Sequence, residues 1–430
     1  QIGVWPQTRV LNALGDNRYS DEALEDTIFR GIGQHRVTVV REDDPHAPNR
    51  AKYAVYLGFA ESLPMRPGFE PLGADAYFDD SGTIISIYRL GKEYLPTGPQ
   101  GTSVECGEVW RFGFWYPECS SSYEDGWMHA KMAFRGTLIV VITVIDHLHG
   151  VHLTAANALV TANVEELPPR HKLRELMTPF GYRTEAINYN AAIILTPEWT
   201  LVHRATGLTT GGIIAAFQYA NTTSETLKFR TIPELKQLKG VEMSLPLDED
   251  GLDYYAILKD FVHEYLSTYY VFGASPDSCA ADIHITAWYN RIRTILPHQD
   301  LPKPLTCNVL EDVMATQMYH VTASHRLTGT IAAETEDPCW APGAWRKGYL
   351  CGLPRTSFSL GVIMASTGSE QPKITEDYSH VFADATGKDL WAKFSQNLTV
   401  FEEIVQVRNE KRKIKFSVFE SSRIETAVGI

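Results

Sequence analysis

The chain has 430 residues, of which 44% are hydrophobic and 21% are charged, as is usual for a globular protein with a large core. Its formal net charge of −13 argues against nucleic-acid binding, which needs a basic face. No apolar run approaches the roughly 20 residues that a membrane-spanning helix needs, so we expect at most a peripheral contact with a membrane.

The first 125 residues predict a mixed segment with short strands. Residues 21–33 are typical of a short helix that stops at a glycine, and residues 34–42 alternate like a strand. Residues 82–90 form a β-branched run after a turn, which predicts a second strand. Residues 91–125 are rich in Pro, Gly and Ser, so we expect a loop there.

From residue 126 onward, apolar residues recur at three- and four-residue spacing, which predicts a mainly helical body. Helices are expected at residues 153–167, 250–270, 285–296 and 390–414, and loops at residues 201–212 and 335–354. No low-complexity linker or internal repeat divides the chain. The sequence therefore predicts one domain over residues 1–430, with a mixed part at 1–125 and a helical part at 126–430.

Two histidines, His147 and His152, follow the apolar run TLIVVITVI and are five residues apart. An α-helix turns by about 100° per residue, so side chains five residues apart point about 140° away from each other. The two imidazoles can therefore meet at one ion only if the helix is locally widened, as it is at the π-bulges that mark many functional sites. The alternative is that they are two unrelated histidines on one helix.

A second candidate pair, His320 and Ser324, is four residues apart on a predicted helix and so shares one face of that helix. His325 is a rival to Ser324, but five residues from His320 it faces away unless this helix is also widened. The last residue, Ile430, would offer its terminal carboxylate as a further donor. Neutral imidazoles and a carboxylate suit iron, manganese or zinc.

These residues resemble the metal ligands of the lipoxygenases, and the chain is similar to the short fungal members of that family. The family's ligands are two histidines on one helix, a histidine followed four residues later by His, Asn or Ser on another, and a C-terminal Ile or Val carboxylate. The resemblance implies that the ligands here are His147, His152, His320, Ser324 and Ile430, with Ser324 either binding directly or holding a water.

Other segments resemble the family in the same order, over roughly residues 75–430. They are GWMHAK (126–131), LPPRHKLRELMTP (167–179), TEAIN (184–188), TIPELKQLKGV (231–241) and the DGL helix that ends in paired tyrosines (250–270). The chain departs from the family pattern at Lys172, where the family has a proline. With only about 125 residues before the helical part, the resemblance implies a form without the N-terminal lipid-binding β-sandwich.

The resemblance implies a mainly α fold, a single large lipoxygenase-like helical catalytic domain with a small N-terminal β element. It implies one non-haem Fe or Mn ion per chain and an oxidoreductase, a dioxygenase that inserts O2 into a polyunsaturated fatty acid to give a hydroperoxide. We expect a monomer, with Arg183 as a candidate anchor for the substrate carboxylate.

Three alternatives to this interpretation remain. One is an enzyme acting on another polyene or isomerising a hydroperoxide, and another is a lipid-binding relative without turnover. A zinc hydrolase is disfavoured, because it usually carries His-Glu-x-x-His, whereas here Leu148 follows His147.

Cysteines and sequons favour an oxidising compartment, although six reduced thiols in the cytoplasm are the alternative. Two cysteine pairs bracket short segments that a disulfide could close, Cys339 with Cys351 and Cys106 with Cys119. Asn221 and Asn397 each begin a glycosylation sequon. We therefore expect a secreted, extracellular protein, as several fungal members of the resembled family are.

Overall fold

The computed structural model describes residues 15–96, 105–111, 114–120, 126–223, 228–331, 337, 339–347, 349–353 and 371–429, with the backbone alone for 15–16 and 105–120. The structure is 57% helical and has a small antiparallel sheet, so the predicted mainly α fold class is confirmed. The last strand of the N-terminal part ends at Ser120, and the first long helix of the helical part begins at Gly126.

The N-terminal part combines one helix with a five-stranded antiparallel sheet, in which neighbours along the chain pair in order. Helix α1 (Asp21–Phe29) begins where the Ser20 hydroxyl accepts a hydrogen bond from the Ala23 amide at 3.1 Å. The strands are β1 (Thr38–Val39), β2 (Tyr53–Tyr56), β3 (Asp75–Phe78), β4 (Ile84–Arg89) and β5 (Lys92–Tyr94). Phe29 packs edge-on against Phe78, which holds α1 on the sheet.

The helix predicted at residues 21–33 and the strand predicted at 82–90 are confirmed as α1 and β4. The strand predicted at 34–42 shrinks to two residues, because 34–36 form a 3-10 turn. The loop predicted at 91–125 is wrong: it contains β5 and a hairpin of β6 (Glu105–Arg111) and β7 (Phe114–Ser120). Its valine and aromatic residues favour strands. The register pairs Cys106 with Cys119, but their side chains lie outside the described part.

The described residues from Gly126 onward are mainly helical, and one long helix, Gly126–Glu166, is called the central helix because it packs against several of the others. This central helix consists of α2 (Gly126–Val141), a π-helical segment (Ile142–Ala156) and α3 (Asn157–Glu166). The other helices are α4 (Lys172–Met177), α5 (Thr184–Ile194), α6 (Leu201–Ala205), α7 (Thr210–Ala220), α8 (Ile232–Lys239), α9 (Pro246–Tyr269), α10 (Ser278–Ala281), α11 (Ile283–Ile295), α12 (Cys307–Tyr319), α13 (His325–Gly329) and α14 (Ala385–Lys411). The four helices predicted in this part are confirmed.

The loop predicted at residues 201–212 is wrong at both ends. It holds α6 and the start of α7, where the Thr209 hydroxyl accepts a hydrogen bond from the Gly212 amide at 3.0 Å. The threonine and glycine residues that suggested a loop form the N-terminal cap of a helix.

The central helix is long and apolar enough to cross a membrane, with a mean hydropathy of 1.6 over its best window. In this fold, 67% of that window is buried inside the protein, so the helix is a core helix. The sequence analysis underestimated the length of this apolar helix, because it counted the apolar run without the histidine-containing stretch that continues the helix.

The Asp-Gly-Leu segment of α9 is a packing feature. The buried carboxylate of Asp250 accepts hydrogen bonds from Arg408 at 3.0 Å and Arg412 at 2.6 Å, which ties α9 to α14 and the chain after it. A Cβ added at Gly251 would lie 2.6 Å from the Tyr319 hydroxyl and 3.2 Å from Phe419 Cζ. Only glycine permits this close approach of α9 to its neighbours.

Gly251→Ala is expected to destabilise the protein by about 1–3 kcal/mol, the typical effect of overpacking a filled core. Gly211→Ala is the matched control, because its Cβ would meet only Thr209 Oγ1, at 3.6 Å, and alanine favours a helix. Urea unfolding of both variants checks this. Equal unfolding midpoints for the two variants would show that α9 does not need glycine here.

Two disulfides connect the described residues. Cys339 pairs with Cys351, one of the two pairings that the sequence spacing allowed, and closes a short loop. Cys279 of α10 pairs with Cys307 at the start of α12, a connection that the sequence spacing did not suggest.

Candidate metal centre

The π-helical segment Ile142–Ala156 brings the first two predicted ligands together. His152 Nε2 lies 3.2 Å from His147 Nε2, although the residues are five positions apart. Gly150 lies between them, and a Cβ there would be only 3.3 Å from the Ile145 carbonyl oxygen. The widening that the two imidazoles need in order to meet is therefore present, and it places both on one face.

The third imidazole of the group belongs to His325. A second π-helical segment, His320–Ser324, follows α12 and ends where α13 begins with His325. One nitrogen each from His147, His152 and His325 lies within 4.8 Å of the others. Three imidazoles from two widened helices thus face one point.

The structure does not bring His320 or Ser324 into this group. The two residues contact each other, with 3.2 Å between His320 Nδ1 and Ser324 Oγ, and both line a neighbouring cavity of about 570 Å³. The sequence-based choice assumed a regular helix, but one extra residue in a turn rotates the subsequent side chains by about 100°. The five-residue spacing of His320 and His325 was no reliable signal, because it would predict that both join the group, whereas only His325 does.

Asn188 of α5 fixes the orientation of His152, a role that the sequence analysis did not assign. Its amide nitrogen donates to the His152 carbonyl oxygen at 2.7 Å, which turns its own oxygen toward His152 Nδ1 at 3.2 Å. Nδ1 therefore carries the proton and donates it to Asn188. The lone pair of His152 is left on Nε2, the atom that faces His147.

Burial keeps the three imidazoles neutral at pH 7. It lowers the pKa of His152 to about 4, against the opposing effect of the Asn188 hydrogen bond. Burial and the nearby imidazoles hold the pKa values of His147 and His325 well below their usual range. Neutral imidazoles are the form that binds metal ions, so no proton has to leave at neutral pH.

His325 provides the test of whether these residues fit a metal. Its side chain is buried, and neither ring nitrogen has a hydrogen-bond partner among the described residues. A buried unpaired polar group is costly, and an ion between the three rings would satisfy it. The described residues Asp277, Cys279 and Cys307 also cluster, but the two sulfurs form a disulfide and cannot bind as thiolates.

An ion-pair cluster anchors the widened helix beside His147. Asp146 accepts hydrogen bonds from His35 Nε2 at 2.8 Å and from Arg36 Nε at 2.9 Å. Burial alone would raise the pKa of Asp146, but Arg36 and His35 lower it to about 2, so the carboxylate is ionised. The segment after α1 is thereby joined to the turn that carries the first ligand candidate.

The remaining two predicted site residues are not part of the described group. Ile430 lies outside the described residues, although the tail before it is buried through Gly429. Arg183 is exposed, with its guanidinium 5.1 Å from the Tyr182 ring centroid, and it does not line the 570 Å³ cavity. Their assignments stay predictions.

Known proteins with similar sequences are named as polyunsaturated fatty acid lipoxygenases or as hydroperoxide isomerases. The chain is 24% identical to mouse polyunsaturated fatty acid lipoxygenase ALOX8 over 331 residues, which cover 71% of this chain and 48% of that protein. It is 23% identical to human hydroperoxide isomerase ALOXE3 over 344 residues, 71% of this chain and 46% of that protein. The chain thus spans about half the length of the relatives it matches. No protein-family model matches the sequence.

Solved structures with a similar fold are lipoxygenases. Coral 8R-lipoxygenase has a TM-score of 0.77 and 15% identity, over 97% of this chain and 67% of that one. A lipoxygenase crystallised with arachidonate has a TM-score of 0.78 and 14% identity, over 99% and 69% of the two chains. The fold is that of a lipoxygenase catalytic domain. The sequence relatives and the structural neighbours thus both support the resemblance to lipoxygenases that the sequence suggested, and lipoxygenases use a non-haem iron.

Proposed function

We propose that this protein is a non-haem metal dioxygenase whose ion is held by His147, His152 and His325. The observation that carries the proposal is the convergence of three largely buried, neutral imidazoles, one of which has no other partner among the described residues. An iron or manganese ion bound there would supply the one-electron chemistry with dioxygen that zinc lacks. Both metals accept these ligands.

The proposed reaction is the insertion of O2 into a polyunsaturated fatty acid to give a hydroperoxide, and the names of the sequence relatives support this substrate class. The chain's own residues orient the imidazole rings and keep them unprotonated. Asn188 holds the His152 ring, the Asp146 cluster anchors the helix next to His147, and burial keeps competing protons away from all three rings.

Elemental analysis together with an oxygen-uptake assay tests the proposal. Purified protein is expected to contain one iron or manganese per chain and to consume oxygen with linoleic or α-linolenic acid while a conjugated diene appears. Stoichiometric zinc in active protein would contradict it. Protein that is loaded with iron or manganese, binds fatty acid and consumes no oxygen would instead support a lipid-binding relative without turnover.

A second candidate reaction is isomerisation of a fatty-acid hydroperoxide. It is favoured by the similarity to human and mouse hydroperoxide isomerase ALOXE3, each at 23% identity. The two reactions differ in oxygen balance, because an isomerase consumes a hydroperoxide without taking up O2. Following both substrates with an oxygen electrode and by product analysis separates them.

Replacing Asn188 with leucine is expected to weaken metal binding by about 10–100-fold, the usual effect of losing a group that orients a ligand. Asn163→Leu is the matched control: both side chains are 6% exposed, but Asn163 accepts a hydrogen bond from Trp288 and touches no ligand candidate. Competition with a chelator measures the affinities. If both variants bind the metal equally well, Asn188 does not orient His152.

We propose that the protein is extracellular. The two described disulfides support an oxidising compartment, and the exposed position of Asn397 on α14 is compatible with a glycan. Protein from its native source is then expected to gain gel mobility on deglycosylation and to lack free Cys279 and Cys307 thiols. Unchanged mobility together with reactive thiols at these positions would contradict this localisation.

A further inference from the structure

Gly329 is the last residue of α13 and lies four residues after His325, on the same face of that helix. Apart from the adjacent residues and the backbone of its own helix, a Cβ built on Gly329 would have one described atom within 4 Å, His147 Cε1, at 4.0 Å. The position is therefore directed at the imidazole group, one helical turn beyond His325. Both Gly329 and His147 are partly accessible to solvent.

Neither backbone conformation nor close packing requires a glycine here. Its φ lies outside the left-handed region, and the nearest described atom would be at an ordinary contact distance. Other helical glycines differ: a Cβ at Gly136 would lie 2.6 Å from the Pro342 carbonyl oxygen, and one at Gly251 would lie 2.6 Å from the Tyr319 hydroxyl. Those two glycines permit close packing, whereas Gly329 only withholds a side chain from the proposed metal site.

We propose that Gly329 leaves one coordination position beside His147 without a side-chain donor from α13, so that a small exogenous oxygen ligand, such as water or a substrate peroxide oxygen, binds the metal there. The inference rests on the proposed metal site. The inference adds that the metal has fewer side-chain donors than the sequence predicted, because Gly329, four positions after His325, has no donor side chain. The backbone carbonyl of Gly329 is the only oxygen that this residue contributes.

Water-proton relaxation with Mn²⁺ counts exchangeable water on the ion and does not depend on turnover. Protein prepared with Mn²⁺ as its only added transition metal is compared with Gly329→Asn and Gly329→Ala. The asparagine offers an oxygen donor from the open position, whereas the alanine adds the same Cβ without one. We expect the asparagine variant to lose the relaxivity of one coordinated water and to bind Mn²⁺ more tightly, while the alanine variant behaves like the parent.

Gly329→Ser, with a shorter donor, replaces the asparagine variant in this comparison if the latter does not fold. Equal relaxivity and equal Mn²⁺ affinity in the parent, alanine and donor variants would overturn the open position while leaving the three-histidine site intact. Failure of the parent to bind Mn²⁺, or undiminished binding after His325→Ala, would overturn the metal site itself and the inference with it. The two failures are thus distinguished by whether the parent binds Mn²⁺ through His325.

Discussion

His325→Ala is expected to reduce the metal content from one ion per chain to nearly none, whereas His320→Ala is expected to retain it. His325 is one of three imidazoles whose nitrogens lie within 4.8 Å of each other, and losing one of these imidazole donors leaves the ion under-coordinated. His320 points instead toward Ser324 and the neighbouring cavity. Oxygen uptake is expected to follow the metal content in both variants.

The two histidines make a well-matched pair for this comparison. They lie at the start of, and just after, the same π-helical segment, and burial lowers the pKa of both, to about 4 for His320 and well below the usual range for His325. A general loss of stability would therefore affect both variants, and thermal unfolding of each corrects for it. Loss of metal in the His320 variant alone would restore the ligand set that the sequence pattern favoured.

This contrast also shows where sequence reasoning reaches its limit. The five-residue spacing showed that His147 and His152 can meet only on a widened helix, and the resemblance to the family's ligand pattern favoured that they do meet. The same reasoning rejected His325, because it assumed that α12 continues as a regular helix. A π-turn adds one residue, and nothing in the local composition marks where that residue is inserted.

Long-range partners were equally invisible in the sequence. TEAIN was recognised as a family-like segment, yet the bond of Asn188 to His152 joins residues 36 positions apart. The hairpin within residues 91–125 was missed because Pro, Gly and Ser outweighed the strand-forming residues. By contrast, α1 and α14 were predicted because apolar spacing and a glycine or charged end mark them locally.

The segment GWMHAK illustrates the same point, because its role depends on residues about a hundred positions earlier. Lys131 forms an ion pair with Asp21, with Nζ 2.6 Å from Oδ1 and side chains only 4% and 6% exposed. Lys131 Nζ also donates to the Tyr19 carbonyl oxygen, and Trp127 Nε1 donates to the same Asp21 oxygen. The central helix is thus attached to α1 through a buried charge pair.

Lys131→Met is expected to destabilise the protein by about 3–5 kcal/mol, since it removes the ammonium that neutralises a buried carboxylate while keeping most of the apolar stem. The double variant Lys131→Met with Asp21→Leu is expected to recover much of that loss, because an apolar pair of similar volume replaces a desolvated ion pair. Urea unfolding measures both.

Lys393→Met is the control for the loss of a lysine charge alone, because its ion pair with Glu264 is exposed and should contribute little to stability. If Lys131→Met unfolds like Lys393→Met, or the double variant is no more stable than Lys131→Met, the buried pair does not hold α1 on the central helix.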